Sequence, residues 1–363
     1  MNKRITYEQE KMEITREVSK IMDLAITPIF RELDLISAEF IKKLYLGRRN
    51  RALIGGRLRD IIIKVVLNLC GIINLSKDHL KVIASGEIYN MASYYQNWHL
   101  DDKKEIKNDM DKKLCHIVSH LFREIAEGLI LETRFNDSIK LRLIKEISES
   151  NKAIQLGQSF ELNFLNISNS QLINDVNILE NYKKRAYLMS GKFYGSSFAM
   201  GSIMVGMRDE ITSYFRQIGE WFGTGGQIIN DVGDFCLNKN VAKNPEKDYQ
   251  DQFADLEKGT ITLAIHELSK IIELKDYSGR KLTLEEKEEL LKIMVSYRCF
   301  DSSRKITNNF RNKMIKSLRY LPPNPLNNKL PFIISTFFNS NKFYVNLREE
   351  HNYNWNINKA LER

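Results

Sequence analysis

Proline is scarce in this 363-residue chain: it occurs at positions 28, 245, 322, 323, 325 and 331, and nowhere between 29 and 244. Because proline breaks helix interiors, so long a stretch without it favours a body made of helices. Cysteine is equally sparse. Cys70, Cys115, Cys236 and Cys299 stand far apart with no CxxC pair, which argues against a zinc site and a disulfide framework and suits a reducing cytosol. A long apolar run is also missing. The most apolar stretch, residues 61–75, is interrupted by Lys64, Asn68 and Asn74 and is too short to cross a bilayer. The opening residues MNKRITYEQEK lead into no apolar segment, so neither a signal peptide nor an integral membrane segment is expected, and the cytoplasm is the expected location. Blocks of like charge are absent as well. Lys and Arg number 55 against 46 Asp and Glu, a formal charge of +9, but the two signs are interleaved. That argues against a nucleic-acid partner and fits a small polyanion such as a diphosphate equally well.

Hydrophobic residues make up 43% of the chain, enough for a substantial core and too many for a disordered protein. Apolar periodicity predicts helices over 7–48, interrupted near Pro28, and over 50–72, where a Gly-Gly turn leads into a helix apolar on nearly every face. Further helices are expected over 78–105, 111–133, 136–149, 153–164, 178–207, 209–222, 225–238, 252–274, 284–295 and 302–318, with loops at 167–177 and 239–251. The economical reading is one helical domain over 1–320. A tail over 321–363 follows a Pro-rich breaker, carries Phe332, Phe337, Phe338, Phe343, Tyr344, Tyr353 and Trp355, and packs on the domain as a cap.

Two helical segments place oxygen-bearing side chains on one face. Asn97, Asp101 and Glu105 recur every four residues in one, and Asn230, Asp234 and Asn238 do so in the other. Residues at i and i+4 lie one above another on a helix. Taken singly, such a pattern makes a solvated face. Two of them about 130 residues apart, with apolar residues interleaved, point to an ion. Hard oxygen donors without Cys or His suit Mg²⁺, which keeps several waters and bridges to substrate phosphates.

Gly55-Gly56-Arg57-Leu58-Arg59, the Asn97–Asp101 segment, Gly157-Gln158-x-x-Glu161, Lys192, Gln227-x-x-Asn230-Asp231-x-x-Asp234 and Asp255-x-x-x-Gly259-x-x-Thr262 follow one another in register. In order and approximate spacing, residues 40–300 resemble the trans-isoprenyl diphosphate synthases, the polyprenyl synthetase family. The resemblance implies an all-α isoprenoid synthase fold, a single helical bundle around a deep central cavity. Two acidic motifs would face each other across it, and three Mg²⁺ would grip an allylic prenyl diphosphate. It also implies a homodimer, with a heteromeric partner left open.

The departures from the family pattern carry information. With Glu87 as the family's Glu, the first acidic motif falls on Asn97-Trp98-His99-Leu100-Asp101 and keeps one carboxylate of three. The alternative register, Asp101-Asp102-x-x-Glu105, needs an extra helical turn, and the spacings to Gly55-Gly56 and Lys192 favour the first. Asp101 is a ligand in either register, and His99 reads as a neighbouring side chain. The second motif opens with Asn230 in place of Asp, as in class I terpene cyclases, with Asp234 and Asn238 as further ligands and Asp231 acting through water. Isopentenyl diphosphate would be held by a Lys, an Arg and a His. Here the Lys position reads Gly56 and the His position Asn90, and only Arg57 is kept. Each lost charge-assisted contact costs about 1.5–3 kcal/mol, so losing two predicts weakening on the order of 10²-fold or more. Lys192 and Gln227 remain for the allylic diphosphate, and Lys258 stands near the family's other lysine, whose own position reads Thr260.

An ionising half that is partly kept, beside a damaged acceptor half, suggests a Mg²⁺-dependent class I terpene synthase. Such an enzyme would ionise a C15–C20 or longer substrate with Asp101, Asp234 and Lys192 and let the cation cyclise. The alternatives are a trans-prenyltransferase, elongating a chain or prenylating another acceptor, and a catalytically degenerate partner subunit. Aromatic faces stabilise cations, and the candidate cavity walls are Tyr94, Tyr95, Trp98, Phe160, Phe193 and Phe222. Small residues at Ala92 and Ser93 leave room for a long substrate, with Tyr89 one turn deeper.

Overall fold

The computed structural model describes residues 6–100, 108–165, 167, 177–235, 252–320 and 329–339. Among these, the elements are all helical. In chain order they are α1 (Tyr7–Ile26), α2 (Ile29–Glu32), α3 (Leu35–Gly55), α4 (Leu58–Leu69), α5 (Lys77–Leu100), α6 (Asp109–Leu131), α7 (Asp137–Phe164), α8 (Ile178–Ala186) and a π-helical turn (Tyr187–Gly191). After that turn come α9 (Lys192–Ile203), α10 (Asp209–Gly233), α11 (Ala254–Lys258), α12 (Leu263–Ser269), a 3₁₀ turn (Lys275–Tyr277), α13 (Leu284–Ser296), α14 (Asp301–Leu318) and α15 (Lys329–Asn339). None of the described helices is long and apolar enough to cross a membrane.

Several boundaries differ from those expected. The predicted break near residue 150 is absent, and α7 runs unbroken from 137 to 164. Ser148-Glu-Ser-Asn-Lys152 is polar but contains neither Gly nor Pro, so nothing there stops propagation. The break expected at Gly223–Gly225 is absent too, since α10 is one helix. Conversely, the helix expected over 252–274 is cut into α11 and α12 at Gly259, which adopts φ +79°. That left-handed conformation ends helices and favours glycine.

The described chain forms two compact units: Met1–Lys152, Tyr194–Gly219 and Pro323–Leu330 in one, and Ala153–Phe193, Glu220–Pro322 and Pro331–Arg363 in the other. In the first, α1 packs on α4 and α5, and α5 lies along α6. A capping box closes the start of α1, with the Thr6 side chain on the Gln9 N–H and the Gln9 side chain on the Thr6 N–H. The α4 helix buries Ile61, Ile62, Ile63, Val65, Val66 and Leu67, as its all-round apolar pattern required.

An ion cluster lies inside that apolar surround. Arg57 Nε donates to Asp60 at 2.7 Å and stands 3.7 Å from Glu87, while the Arg57 backbone N–H donates to Thr15 Oγ1 at 2.7 Å. Arg59 donates to the Gly86 carbonyl. Asp60 is 0% exposed. Its carboxyl is pushed up to about 7 by burial, with the neighbouring Glu87 charge adding to the rise and Arg57 opposing it.

The second unit surrounds a core that includes Leu165, Tyr182, Ile228, Val232, Phe235, Phe253, Leu256, Leu290, Met294 and Phe300. An isolated pair of backbone bonds, Ile167 N–H to the Gly259 carbonyl and Ile261 N–H to the Leu165 carbonyl, both 2.7 Å, ties the end of α7 to the end of α11. In the C-terminal segment, the rings of Phe337 and Phe338 lie 4.7 and 5.8 Å from Phe222 on α10. Phe343, Tyr344, Tyr353 and Trp355 fall outside the described residues.

The raised carboxyl of Asp60 predicts a pH signature. Between about pH 4 and 7 the native chain keeps on Asp60 a proton that the unfolded chain, with an ordinary aspartate near 3.9, has released. The native state binds more protons in this window, so stability falls as pH rises through it and levels off above. Asp60→Asn cannot titrate. Urea denaturation across pH 4–8 should therefore show the wild-type-minus-variant stability falling to about pH 7 and then flat, and a difference independent of pH would contradict the assignment.

Candidate active site

In the second unit the site is built around the C-terminal turns of α10. Gln227 and Asp231 fall close together on one side of that helix, Asn230 lies at the edge of the same face, and Asp234 follows directly after the helix end. Asp231 is buried, and both its oxygens are engaged. Oδ2 accepts from the Tyr182 hydroxyl at 2.6 Å and from Arg185 at 3.1 Å, and Oδ1 accepts from Gln227 Nε2 at 2.7 Å. Arg185 reaches Glu161 on α7 at 2.8 and 2.5 Å through its other nitrogens. It is thus a charged bridge between two carboxylates, which hold its guanidinium well above the ordinary value against the cost of burial. The Tyr182 hydroxyl is pushed up by burial and by the Asp231 charge.

Gln227 is in turn held by Ser190, whose hydroxyl donates to Oε1 at 2.6 Å. Ser190 belongs to the π-helical turn, an irregularity that often marks functional positions. The two backbones come close together here. A Cβ added to Gly223 would lie 2.0 Å from the Ser190 carbonyl oxygen, so glycine is required by the crossing of these helices.

Asp234 closes the other end. Its carboxylate accepts the Asp255 N–H at 3.1 Å and its carbonyl accepts the Phe253 N–H at 3.0 Å. This brings Asp255 beside Asp234 and Asp231. The Asp255 carboxyl is pushed well up by burial and by those two charges, with Arg185 opposing. Such crowding of acids suits a divalent cation, which would relieve the repulsion. Among the described residues, no three His, Cys, Asp or Glu groups close around one point, and Asp231 is occupied by donors. An ion here would rest on exposed Asn230 and half-buried Asp234 and complete its shell with water and phosphate oxygens. This is the coordination Mg²⁺ favours, so the donor set fits that ion.

The other expected residues fall as follows. Lys192 lies on Glu220 at 2.6 Å and over the Tyr187 ring at 4.9 Å. Glu220 precedes Gln227 by seven residues, about 10 Å along α10, so Ser190 rather than Lys192 is the neighbour of Gln227. Lys258 is exposed at the end of α11. Phe160 is half-buried under Lys184, 4.7 Å from its ring, and Phe193 is half-buried. Phe222 was expected to line a cavity but is fully buried against Phe337 and Phe338, and it is a core side chain.

In the first unit, Asn97 is half-buried on α5, and Tyr94 is 40% exposed with the Arg48 guanidinium 3.2 Å from its ring. Tyr95 is buried edge-on against Phe122. Asp101, Asp102, Glu105 and Asn238, with the side chains of Trp98 and His99, lie outside the described residues. Tyr182, Arg185 and Ser190 were not anticipated. The spacing of Tyr182 and Arg185, i and i+3 on a helix, was the available signal.

Next to Asp255, Glu257 fixes α11 to the chain that follows. Its carboxylate accepts from Lys281 at 2.6 Å, Lys287 at 2.9 Å and the Leu282 N–H at 3.1 Å. Burial alone would raise this carboxyl, yet the three donors hold it below the ordinary value. Glu257→Gln would leave Lys287, which is 4% exposed, without a counter-charge, at a cost of about 3–5 kcal/mol. Glu257→Leu combined with Lys287→Met should recover most of that loss in urea denaturation. A single variant as stable as the wild type would show the ion pair to be dispensable.

Comparison with known proteins agrees with this geometry. Residues 115–294 match the family described as Polyprenyl synthetase. The heptaprenyl diphosphate synthase from Staphylococcus aureus is 19% identical, with a TM-score of 0.69 over 90% of this chain and 98% of that one. Geranylgeranyl pyrophosphate synthetase from Pyrococcus horikoshii is 18% identical, with a TM-score of 0.69 over 91% and 98%. The decaprenyl diphosphate synthase from Rhodobacter capsulatus is 15% identical, with a TM-score of 0.68 over 91% and 99%. No curated protein matches the chain in sequence. Identities this low establish a common fold, the all-α isoprenoid synthase fold, and the family match extends over the segment that holds Gln227, Asp231, Asp234 and Asp255. The segment 115–294 is that of the polyprenyl synthetase family, whose members are enzymes of the prenyltransferase kind.

Proposed function

We propose that the chain is a Mg²⁺-dependent trans-prenyltransferase whose donor is an allylic prenyl diphosphate and whose acceptor is not gripped as a second diphosphate. The observation that carries this reading is Arg57, the one retained member of the isopentenyl set. Its guanidinium is already engaged by Asp60 at 2.7 Å, with Glu87 at 3.7 Å. Gly56 offers no room for the missing lysine. It has φ +69°, and a Cβ there would stand 2.8 Å from Lys11 Cγ, so installing lysine at this position is expected to strain the backbone and displace α1. Transfer ranks ahead of cyclisation, reversing the order expected from the sequence, because the similar solved structures are polyprenyl diphosphate synthases.

In this reading Asn230 and Asp234 hold Mg²⁺, and Asn97, Asp101 and Asn238 are the further ligands that the sequence motifs propose. Asp231 acts from behind by fixing Gln227, and Lys192 and Lys258 add positive charge for the diphosphate. Bound Mg²⁺ supplies charge stabilisation for the departing diphosphate. The residues of the chain orient that group and keep water from the cation. A homodimer in the cytoplasm belongs to the same proposal.

Incubation with Mg²⁺ and geranyl, farnesyl or geranylgeranyl diphosphate, with and without isopentenyl diphosphate, tests the proposal. Prenyl transfer to a nucleophile other than isopentenyl diphosphate supports it. A longer diphosphate, made only with isopentenyl diphosphate, would establish ordinary elongation. A hydrocarbon or alcohol made with no acceptor would establish cyclisation. Turnover only with a partner chain would make this chain a subunit. Asp101→Ala and Asp234→Ala should each lower turnover about 100-fold or more while leaving the helical circular dichroism unchanged. Activity retained in both would refute the metal assignment.

A further inference from the structure

His116 and His120 stand one turn apart on α6, both exposed, and neither belongs to the site described above. Their ring centroids are 4.8 Å apart and their planes meet at 77°. Side chains at i and i+4 share a helix face with Cβ atoms about 5–6 Å apart. Two imidazoles so placed can each present one nitrogen to a single ion without any change in the backbone. Around them, Ile117 is 58% exposed, and Glu124, one turn beyond His120, is exposed. Lys113 on the turn before is drawn onto Asp109 at 2.8 Å, which lowers its opposition to an arriving dication.

We infer that His116 and His120 form a two-nitrogen chelate for a borderline transition-metal dication on the outer face of α6. Imidazole nitrogen selects Cu²⁺, Ni²⁺ and Zn²⁺, with Cu²⁺ the tightest, and discriminates against Mg²⁺. Aspartate and asparagine oxygens make the opposite choice. The chain therefore carries two cation sites separated by donor chemistry, and the histidine pair does not depend on the catalytic reading. A dication held at both rings also braces the first turns of α6, because an ion that binds only the folded helix stabilises it by mass action.

The untagged full-length protein, freed of metal, is titrated with CuCl₂ and separately with ZnCl₂. One Cu²⁺ per chain, with nitrogen hyperfine structure in the electron paramagnetic resonance spectrum, and a rise in Tm with Zn²⁺ are expected. His116→Gln and His120→Gln should each weaken Cu²⁺ binding about tenfold or more and abolish the Tm rise. His79→Gln, at a half-buried histidine bonded to Ser76, should bind as the wild type does. A hundredfold excess of Mg²⁺ should displace nothing. Equal binding by the two His→Gln variants and the wild type would overturn the inference, as would displacement by Mg²⁺. Stoichiometric binding lost in His79→Gln alone would overturn it too, by moving the site elsewhere.

Discussion

The carboxylate of Asp231 orders much of the second unit. One buried group accepts from Tyr182 and Arg185 on α8 and from Gln227 on its own helix. Through Arg185 it is joined to Glu161 on α7, and through Gln227 to Ser190 in the π-helical turn. A buried carboxylate with three donors is stable, and with fewer it is costly. The network therefore specifies one register between α8, the π turn and α10. That register sets Asn230 and Asp234 outward, one turn from each other, with Asp255 brought up behind.

This explains why a motif can lose acids and still keep its shape. Asn230 stands where the family has Asp, and it is exposed, so the change alters the charge offered to an ion without disturbing the packed core. Asp231 has no such freedom. Replacing it would remove one of the two carboxylates that hold buried Arg185. The two neighbours in the motif answer to different constraints, one to chemistry in solution and one to internal satisfaction.

What was legible in the sequence followed from patterns with few physical solutions. The apolar pattern around Lys64 in 61–67 called for a buried helix, and α1 begins at Tyr7, where the apolar periodicity put it. What was not legible depended on partners distant in sequence. Gly223 and Gly225 read as a helix end because glycine is a poor helix former. In the fold, Gly223 is where the Ser190 carbonyl approaches too closely for any side chain. Phe222 read as a cavity wall because its aromatic partners, Phe337 and Phe338, lie more than a hundred residues away.

Charge balance bears on the proposed reaction. Three of the cations discussed above are partnered by the chain: Arg57 with Asp60 and Glu87, Arg185 with Glu161 and Asp231, and Lys192 with Glu220. A guanidinium between two carboxylates contributes little net positive potential beyond them. A departing diphosphate gains negative charge as its bond to carbon breaks, and that charge must be met at the moment of ionisation. In the proposed reaction divalent metal would share that demand with Lys192 and Lys258, and metal held by Asn230 and Asp234 would carry more uncompensated charge than metal held by three carboxylates. Asn in place of Asp in the motif would thus weaken the grip on an ion but leave it a stronger electrophile toward phosphate oxygen. A site with fewer acids can in this way remain competent to ionise its donor, provided the substrate diphosphate itself completes the coordination.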